Sequence, residues 1–188
     1  VMGAVTSPFM TKMMATNLAL YQAGEGVTAS GVFYQAGSQY SIIASPFEAG
    51  WRCPTGSGIT GGLIIAILLF SKRDDFKAIA KLAIPCGIFN INEPVIFGIP
   101  MVMNPMFAVP FFLAPIACAS LGYLVQYIGL CPLFVISVPW TTPVGLFGFL
   151  ASSGNIMGGI WQAVIIIGAS TLIYTPFVIA SNRQEAAA

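Results

Sequence analysis

Glu93 has the clearest capacity for chemistry in this chain. It sits in "NINEPVIFGIP" (residues 90–100), and no other Asp, Glu, Lys or Arg occurs between Lys81 and Arg183. A carboxylate at membrane depth costs at least ~2.5–3.5 kcal/mol at a helix centre, so it normally faces a cavity or a partner. Asn90 and Asn92 add amide donors and acceptors at the same place, and Pro94 and Pro100 interrupt any helix there. Such a surface suits a polyhydroxylated ligand. Two other roles fit the same residues. Glu93 could cap a short helix, whose N-terminus favours negative charge, or join unwound carbonyls in a Na⁺ site.

A second constellation is "VPWTTP" (138–143), where Trp140 stands between Pro139 and Pro143 with Thr141 and Thr142 beside it. A rigid aromatic face next to hydroxyls matches a sugar, which offers C–H faces to a ring and hydroxyls to polar partners. The alternative for Trp140 is the interfacial belt of a membrane protein. Trp51 and Trp161 are assigned to interface or packing.

The elements that must position these groups are apolar. The 188 residues are 57% hydrophobic and 7% charged with mean hydropathy +0.87, against roughly 25% charged residues in soluble domains. Several uncharged stretches exceed the ~18 residues of a membrane-spanning candidate. An all-α integral membrane protein is therefore predicted. A net charge of +1 without a basic cluster argues against a nucleic-acid partner. Cys53, Cys86, Cys118 and Cys131 are dispersed with no CxxC pair, so they read as small buried hydrophobes and not as a metal or redox site. No histidine is present, which removes the commonest general base and phosphoryl acceptor. Neither metal nor cofactor is expected. The opening "VMGAVTSPFM" lacks an initiator methionine and the basic region of a signal peptide, which suggests a piece of a longer protein.

Along the chain, residues 1–23 with Pro8 predict no more than a partial helix, and 24–50 read as a polar, Gly- and Ser-rich loop. "WRCPTGSGITGGLIIAILLF" predicts an irregular entry at Pro54, Gly56 and Gly58 followed by an apolar helix. "SKRDDFKAIAK" (71–81) reads as a loop, and its four basic residues place it on the cytoplasmic side. Between Leu82 and Pro105, prolines and glycines break any continuous span. Non-helical backbone survives in lipid only where protein or a water-filled cavity satisfies it, so a re-entrant hairpin of two half-helices meeting near Asn90–Pro94 is expected. Met106–Leu130 and Ile156–Ala180 are full spans, the first with kinks at Pro110 and Pro115. The proline-rich 131–154 segment between them is a second broken element, and "SNRQEAAA" is a tail. If 71–81 and Arg183 are both cytoplasmic, an even number of crossings must separate them. Gly58/Gly62 and Gly154/Gly158 match GxxxG and hint at close packing.

The stretch "IPCGIFNINEPVIFGIPMVMNPMFAVPF" closely resembles the membrane permease, enzyme IIC, of the bacterial phosphoenolpyruvate-dependent sugar phosphotransferase system, in the lactose, cellobiose and diacetylchitobiose branch. "GSGITGGLIIAILLFSKRDDFKAIAKLAI", "VPWTTPVGLFGFLASSG" and "LIYTPF" resemble it in the same order, so the likeness covers most of residues 51–180. The resemblance implies a multi-pass protein of the bacterial plasma membrane, built of helices and re-entrant hairpins. Its N-terminal half forms the homodimer and its C-terminal half, here residues 1–188, carries the sugar site. It implies a β-linked disaccharide substrate, phosphorylated on entry by a phosphocysteine of enzyme IIB that is charged from enzyme IIA; no catalytic phosphoryl carrier is expected in this chain.

By the same resemblance Glu93 is the glutamate beside the hydroxyl to be phosphorylated, and Trp140, with Thr141 beside it, stacks on a sugar ring. Asn90 and Asn92 flank that glutamate, and Gly56, Gly58 and Thr60 belong to a glycine-rich loop near the ligand. Two departures stand out. A family histidine would fall upstream of Val1, and "WRCPTGSG" is less glycine-rich than the family pattern. An ion-coupled secondary transporter and an inactive fragment are the other readings.

Overall fold

The computed structural model describes residues 2–28, 31–99, 101 and 105–186, and their side chains except at 2–5 and 183–186. The break expected at Pro100 and the side chain of Arg183 therefore lie outside the described residues. In order come α1 (Met2–Gln22), a two-residue antiparallel ladder of β1 (Val27–Thr28) and β2 (Gly31–Val32), and α2 (Ser45–Phe47), which widens into π turns over Glu48–Arg52. There follow α3 (Gly61–Phe70), α4 (Asp74–Ile88), α5 (Glu93–Gly98), α6 (Pro105–Tyr127), α7 (Leu146–Ala151) and α8 (Ile156–Ala163). π turns at Val164–Ala169 join α8 to α9 (Ser170–Ala186). The protein is mostly helical, as predicted, with the small ladder as the exception.

Among the described residues two helical stretches are long and apolar enough to cross a membrane, Pro105–Tyr127 and Ile156–Asn182. The shorter helices position the site. α3 has ten residues, about 15 Å of rise, against a hydrocarbon core of about 30 Å. It cannot begin earlier because residues 53–60 take left-handed turns. Its first N–H groups find side-chain help instead: Gly61 N donates to Thr55 Oγ1 at 3.0 Å. α3 runs parallel to α9. Gly62 lies against Ser170, where a Cβ would come within 2.1 Å of the Ser170 hydroxyl, and at the other end Asn182 Nδ2 donates to Phe70 O while Lys72 N donates to Asn182 Oδ1, each at 2.9 Å. Residues 70–72 and 182 thus occupy the same end of the bundle, as an even number of crossings requires.

Several expectations from sequence are corrected. Residues 2–22 form one helix with Pro8 inside it, where a partial helix was expected; Pro8 itself is exposed. Only 71–73 of the basic stretch is non-helical. Asp74 and Asp75 open α4, where acidic groups favour a helix N-terminus. Arg73 grips Asp75 through Nε and Nη2 and holds that carboxyl below its ordinary range. Pro85 sits inside α4 without ending it, because Pro85 and Lys81, whose carbonyl it orphans, are both exposed. The region 24–50 is not a plain loop, since it holds the ladder and α2. The tail is helical as far as Ala186.

The second broken element is non-helical from 131 to 145 apart from turns, yet neighbouring elements bond several of its backbone groups. Leu133 N donates to Val32 O at 2.7 Å and Val135 N to Ala151 O at 2.9 Å. The buried Gln126 donates to Pro132 O at 3.0 Å. Gln162 Oε1 accepts from Gly145 N and Gly148 N at 2.9 and 2.7 Å, while its Nε2 donates to Gly50 O at 2.9 Å. Cys131, Leu133, Phe134 and Val135 are all buried, so this extended segment is part of the core.

Candidate functional site

The 53–60 loop carries unusual backbone. Thr55 (φ 58°) and Ile59 (φ 52°) are β-branched residues in the left-handed region, accompanied by Gly56 (φ 84°) and Gly58 (φ 77°). Each such non-glycine conformation costs on the order of 1–3 kcal/mol and persists only where surroundings enforce it. Here the enforcement comes from the break between α4 and α5. Thr55 N donates to Asn90 Oδ1 at 2.7 Å, and Asn92 Nδ2 donates to Ser57 O at 2.7 Å. Gly56 rests directly on Asn92, where an added Cβ would lie 2.3 Å from Cγ.

Asn90 reaches a third segment as well. Its Nδ2 donates to Trp140 O and to Thr142 O, the latter at 2.8 Å. Both amide hydrogens and one lone pair of Oδ1 are thereby engaged, and a left-handed backbone (φ 65°) aims the side chain. Asn is among the residues that tolerate this conformation best. One side chain therefore joins the glycine-rich loop, the α4–α5 turn and the 139–143 segment, and it brings the two sequence constellations together.

Between these segments lies a cavity of about 400 Å³, within the range of small-molecule sites. Asn90, Asn92, Glu93, Gly56 and Trp140 line it, joined by Ser45, Glu48, Ala49, Cys53 and Ser57. Glu93 is the first residue of α5 and is exposed. Among the described residues its carboxylate has no hydrogen-bond or ion-pair partner. The Trp140 ring is 64% exposed, although its carbonyl is fixed by Asn90. A carboxylate with free lone pairs and an uncovered indole face can receive a hydroxylated ligand. By contrast, the cavity of about 370 Å³ bordered by α3, α4 and the 164–169 turns is lined mainly by aliphatic side chains such as Ile64, Leu68 and Ile166, and it offers a sugar few partners.

Three residues of the sequence-predicted set are elsewhere. Thr60 is fully buried and donates through Oγ1 to Thr55 O at 3.0 Å, which shapes the loop from behind. Gly58 borders a neighbouring cavity against Phe111 and accepts at its carbonyl from Tyr174 Oη at 2.7 Å. Thr141 is exposed next to Trp140 without lining the cavity. Conversely, sequence reasoning missed Glu48, which pairs with Arg52. The signal was an acid and a base four residues apart at the edge of the same glycine-rich entry, masked by the polar stretch preceding it. Among the described residues no three His, Cys, Asp or Glu side chains converge as a metal site.

The family model "Phosphotransferase system, EIIC" matches residues 1–115. The lichenan permease IIC component of Bacillus subtilis is 35% identical over 186 residues, covering 98% of this chain and 38% of that protein. The cellobiose-specific EIIC component of Lactococcus lactis is 42% identical over 134 residues, covering 69% of this chain and 26% of that one. The crystal structure of ChbC, the IIC component of the N,N'-diacetylchitobiose-specific phosphotransferase system, superposes with a TM-score of 0.84 at 34% identity, covering 98% of this chain and 40% of ChbC. The chain spans about two fifths of the length of the lichenan permease and of ChbC.

Proposed function

The chain belongs to the EIIC family of the phosphotransferase system, a family of integral membrane proteins, and from that premise we propose that it forms the sugar-binding, C-terminal portion of a permease for β-linked disaccharides. In this reading the permease translocates its sugar across the bacterial plasma membrane and delivers it for phosphorylation by enzyme IIB, itself charged from enzyme IIA. It crosses the membrane several times and works as a homodimer.

The observation that carries the reading is the pairing of an unpartnered Glu93 with an uncovered Trp140 ring in one polar cavity. Glu93 accepts a hydrogen bond from a sugar hydroxyl, and when that hydroxyl attacks a phosphoryl group the same carboxylate is placed to take its proton. Trp140 packs on a ring face. Asn92 lines the cavity beside Glu93, and Gly56 gives the ligand access to backbone. Asn90 contributes chiefly by holding Trp140 and Thr55. Gly58, Thr60 and Thr141 support the loop and the segment that shape the cavity.

Two architectural elements belong to the same proposal. α4 and α5 form one re-entrant hairpin whose tip is residues 89–92, and the segment 131–151 forms the second; neither crosses, and because the span α6 lies between them they enter from opposite sides. The six-residue α5 and α7 are about 9 Å long, far short of a span, which supports this arrangement.

The test is uptake and phosphorylation of radiolabelled cellobiose, lactose and diacetylchitobiose in membrane vesicles supplied with the phosphoryl carrier proteins. Glu93→Gln is expected to abolish both while leaving the protein inserted and folded. Retained transport in that variant would sink the assignment. Uptake that follows a Na⁺ or H⁺ gradient without the carriers would replace it with ion-coupled transport.

A further inference from the structure

We propose that Glu48 is a second, specificity-determining ligand contact in the Glu93 cavity and that Arg52 is its positioning residue; the inference rests on the sugar-binding reading above. The two carboxylates approach from different walls. Glu93 opens α5 beyond the α4–α5 turn, whereas Glu48 lies on the π turns that follow α2. Both line the same cavity.

The Glu48 wall is held rigidly. Trp51, three residues on, is fully buried and stacked on Phe134 with ring centroids 5.4 Å apart and planes 1° from parallel. The indole fits against Gly122 of α6, where an added Cβ would lie 2.3 Å from the ring. Gly50 O accepts from Gln162 Nε2 of α8 at 2.9 Å. Helices α6 and α8 and the extended core segment thus clamp the turn from which Glu48 projects. π turns recur at functional sites because they re-aim side chains that a regular helix would place elsewhere, and rigid elements hold contacts more accurately than loops.

The ion pair itself is partly exposed, with Glu48 at 29% and Arg52 at 58%. An exposed pair adds little stability, so stability does not account for its place here. It does fix the carboxylate. Arg52 Nη2 bonds Glu48 Oε1, and among the described residues Glu48 Oε2 has no partner. An ionised carboxylate only accepts hydrogen bonds, so Oε2 selects for a ligand donor at its position, either a hydroxyl or an amide N–H. Acceptors on two walls register an elongated ligand at two points. Glu93 attends to the reacting hydroxyl, and Glu48 reads a donor away from it.

The experiment measures uptake kinetics in vesicles holding the permease and its carriers, with cellobiose and analogues lacking one hydroxyl at a time. Glu48→Gln is expected to raise KM for cellobiose by about ten- to a hundred-fold with kcat little changed. It should also erase the discrimination against one deoxy analogue, the one whose missing hydroxyl met Oε2. Arg52→Lys should keep that discrimination and Arg52→Gln should lose it. Glu48→Asp shortens the reach without removing charge, and gives the same loss of discrimination in a variant that retains the ion-pair chemistry. Wild-type KM and discrimination in Glu48→Gln and Glu48→Asp would overturn the inference, leaving the pair as a surface contact. Glu93→Gln, run in parallel, separates the two readings. If it transports normally, the sugar-binding reading fails and this inference falls with it. If it is inactive while the Glu48 variants match wild type, only the Glu48 inference is lost.

Discussion

Two interruptions of the helices, at residues 131–145 and at the α4–α5 turn, must each satisfy exposed backbone in an apolar protein. At residues 131–145 the task is shared by Gln126 and Gln162, which project from neighbouring helices and bond Pro132, Gly145, Gly148 and Gly50. No acidic or basic residue lies in that segment. At the α4–α5 turn the satisfying groups belong to the break itself. Asn90 and Asn92 reach outward to Thr55, Trp140, Thr142 and Ser57, and Glu93 next to them bonds to nothing among the described residues. The first arrangement closes an irregular segment into the core. The second closes the backbone and leaves one charged group over. A helix break becomes a receiving surface when its polar inventory exceeds what its own backbone consumes.

Glycine substitution should separate the two regions most sharply. Gly56 and Gly154 share φ 84°, but a Cβ on Gly56 would lie 2.3 Å from Asn92 Cγ whereas one on Gly154 meets only Phe149 at 3.8 Å. Gly56→Ala combines left-handed strain of about 1–3 kcal/mol with overpacking of about 1–3 kcal/mol against a tethered side chain. Gly154→Ala carries the strain alone, about 1 kcal/mol. Thermal unfolding in detergent is expected to show the larger loss for Gly56→Ala, together with loss of sugar binding. Equal losses would mean that Asn92 can move aside and that the α4–α5 break is no tighter than the 131–154 one.

The two pinning amides give the next largest contrast. Asn90→Asp deletes both donors to Trp140 and Thr142 and turns a carboxylate toward those carbonyls, which is expected to cost about 3 kcal/mol. Gln162→Glu keeps the acceptor for Gly145 and Gly148 and loses only the donation to Gly50, about 1–2 kcal/mol. Asn90→Asp should also weaken sugar binding, because Trp140 is released, whereas Gln162→Glu should change stability more than binding. Calorimetric titration with a disaccharide beside thermal unfolding would read both. The reverse order would make the 131–145 segment, and not the α4–α5 turn, the organiser of the cavity.

The same contrast explains what the sequence made legible. Glu93 stood out because it is the single charge in a long apolar run, and the turn at 89–92 followed from Asn and Pro beside it. Trp140 was found because its residue type and proline neighbours are local signals. Asn90's structural duty was not legible, since its acceptors are 50 and 52 residues away. Glu48 and Arg52 were passed over because charges in a polar stretch look ordinary until the fold turns them toward a cavity. Pro85 and Pro8 misled for a related reason: both prolines stand inside a helix on its exposed face, and which face a proline occupies is a tertiary fact.

Trp140 gives the smallest expected effect on stability and divides the two kinds of contribution within one residue. Its carbonyl belongs to the structure, since Asn90 donates to it. Its ring, 64% exposed, belongs to the cavity. Trp140→Ala leaves the carbonyl in place, so unfolding should shift by less than about 0.5 kcal/mol. Removing the ring face should raise KM for a disaccharide about three- to ten-fold, in line with aromatic contacts of about 0.5–1.5 kcal/mol, and Trp140→Phe should recover part of it. If Trp140→Ala instead destabilises the protein as strongly as Asn90→Asp, then the ring packs against protein in the working state, and the leftover polar inventory at the α4–α5 turn has no aromatic partner across the cavity.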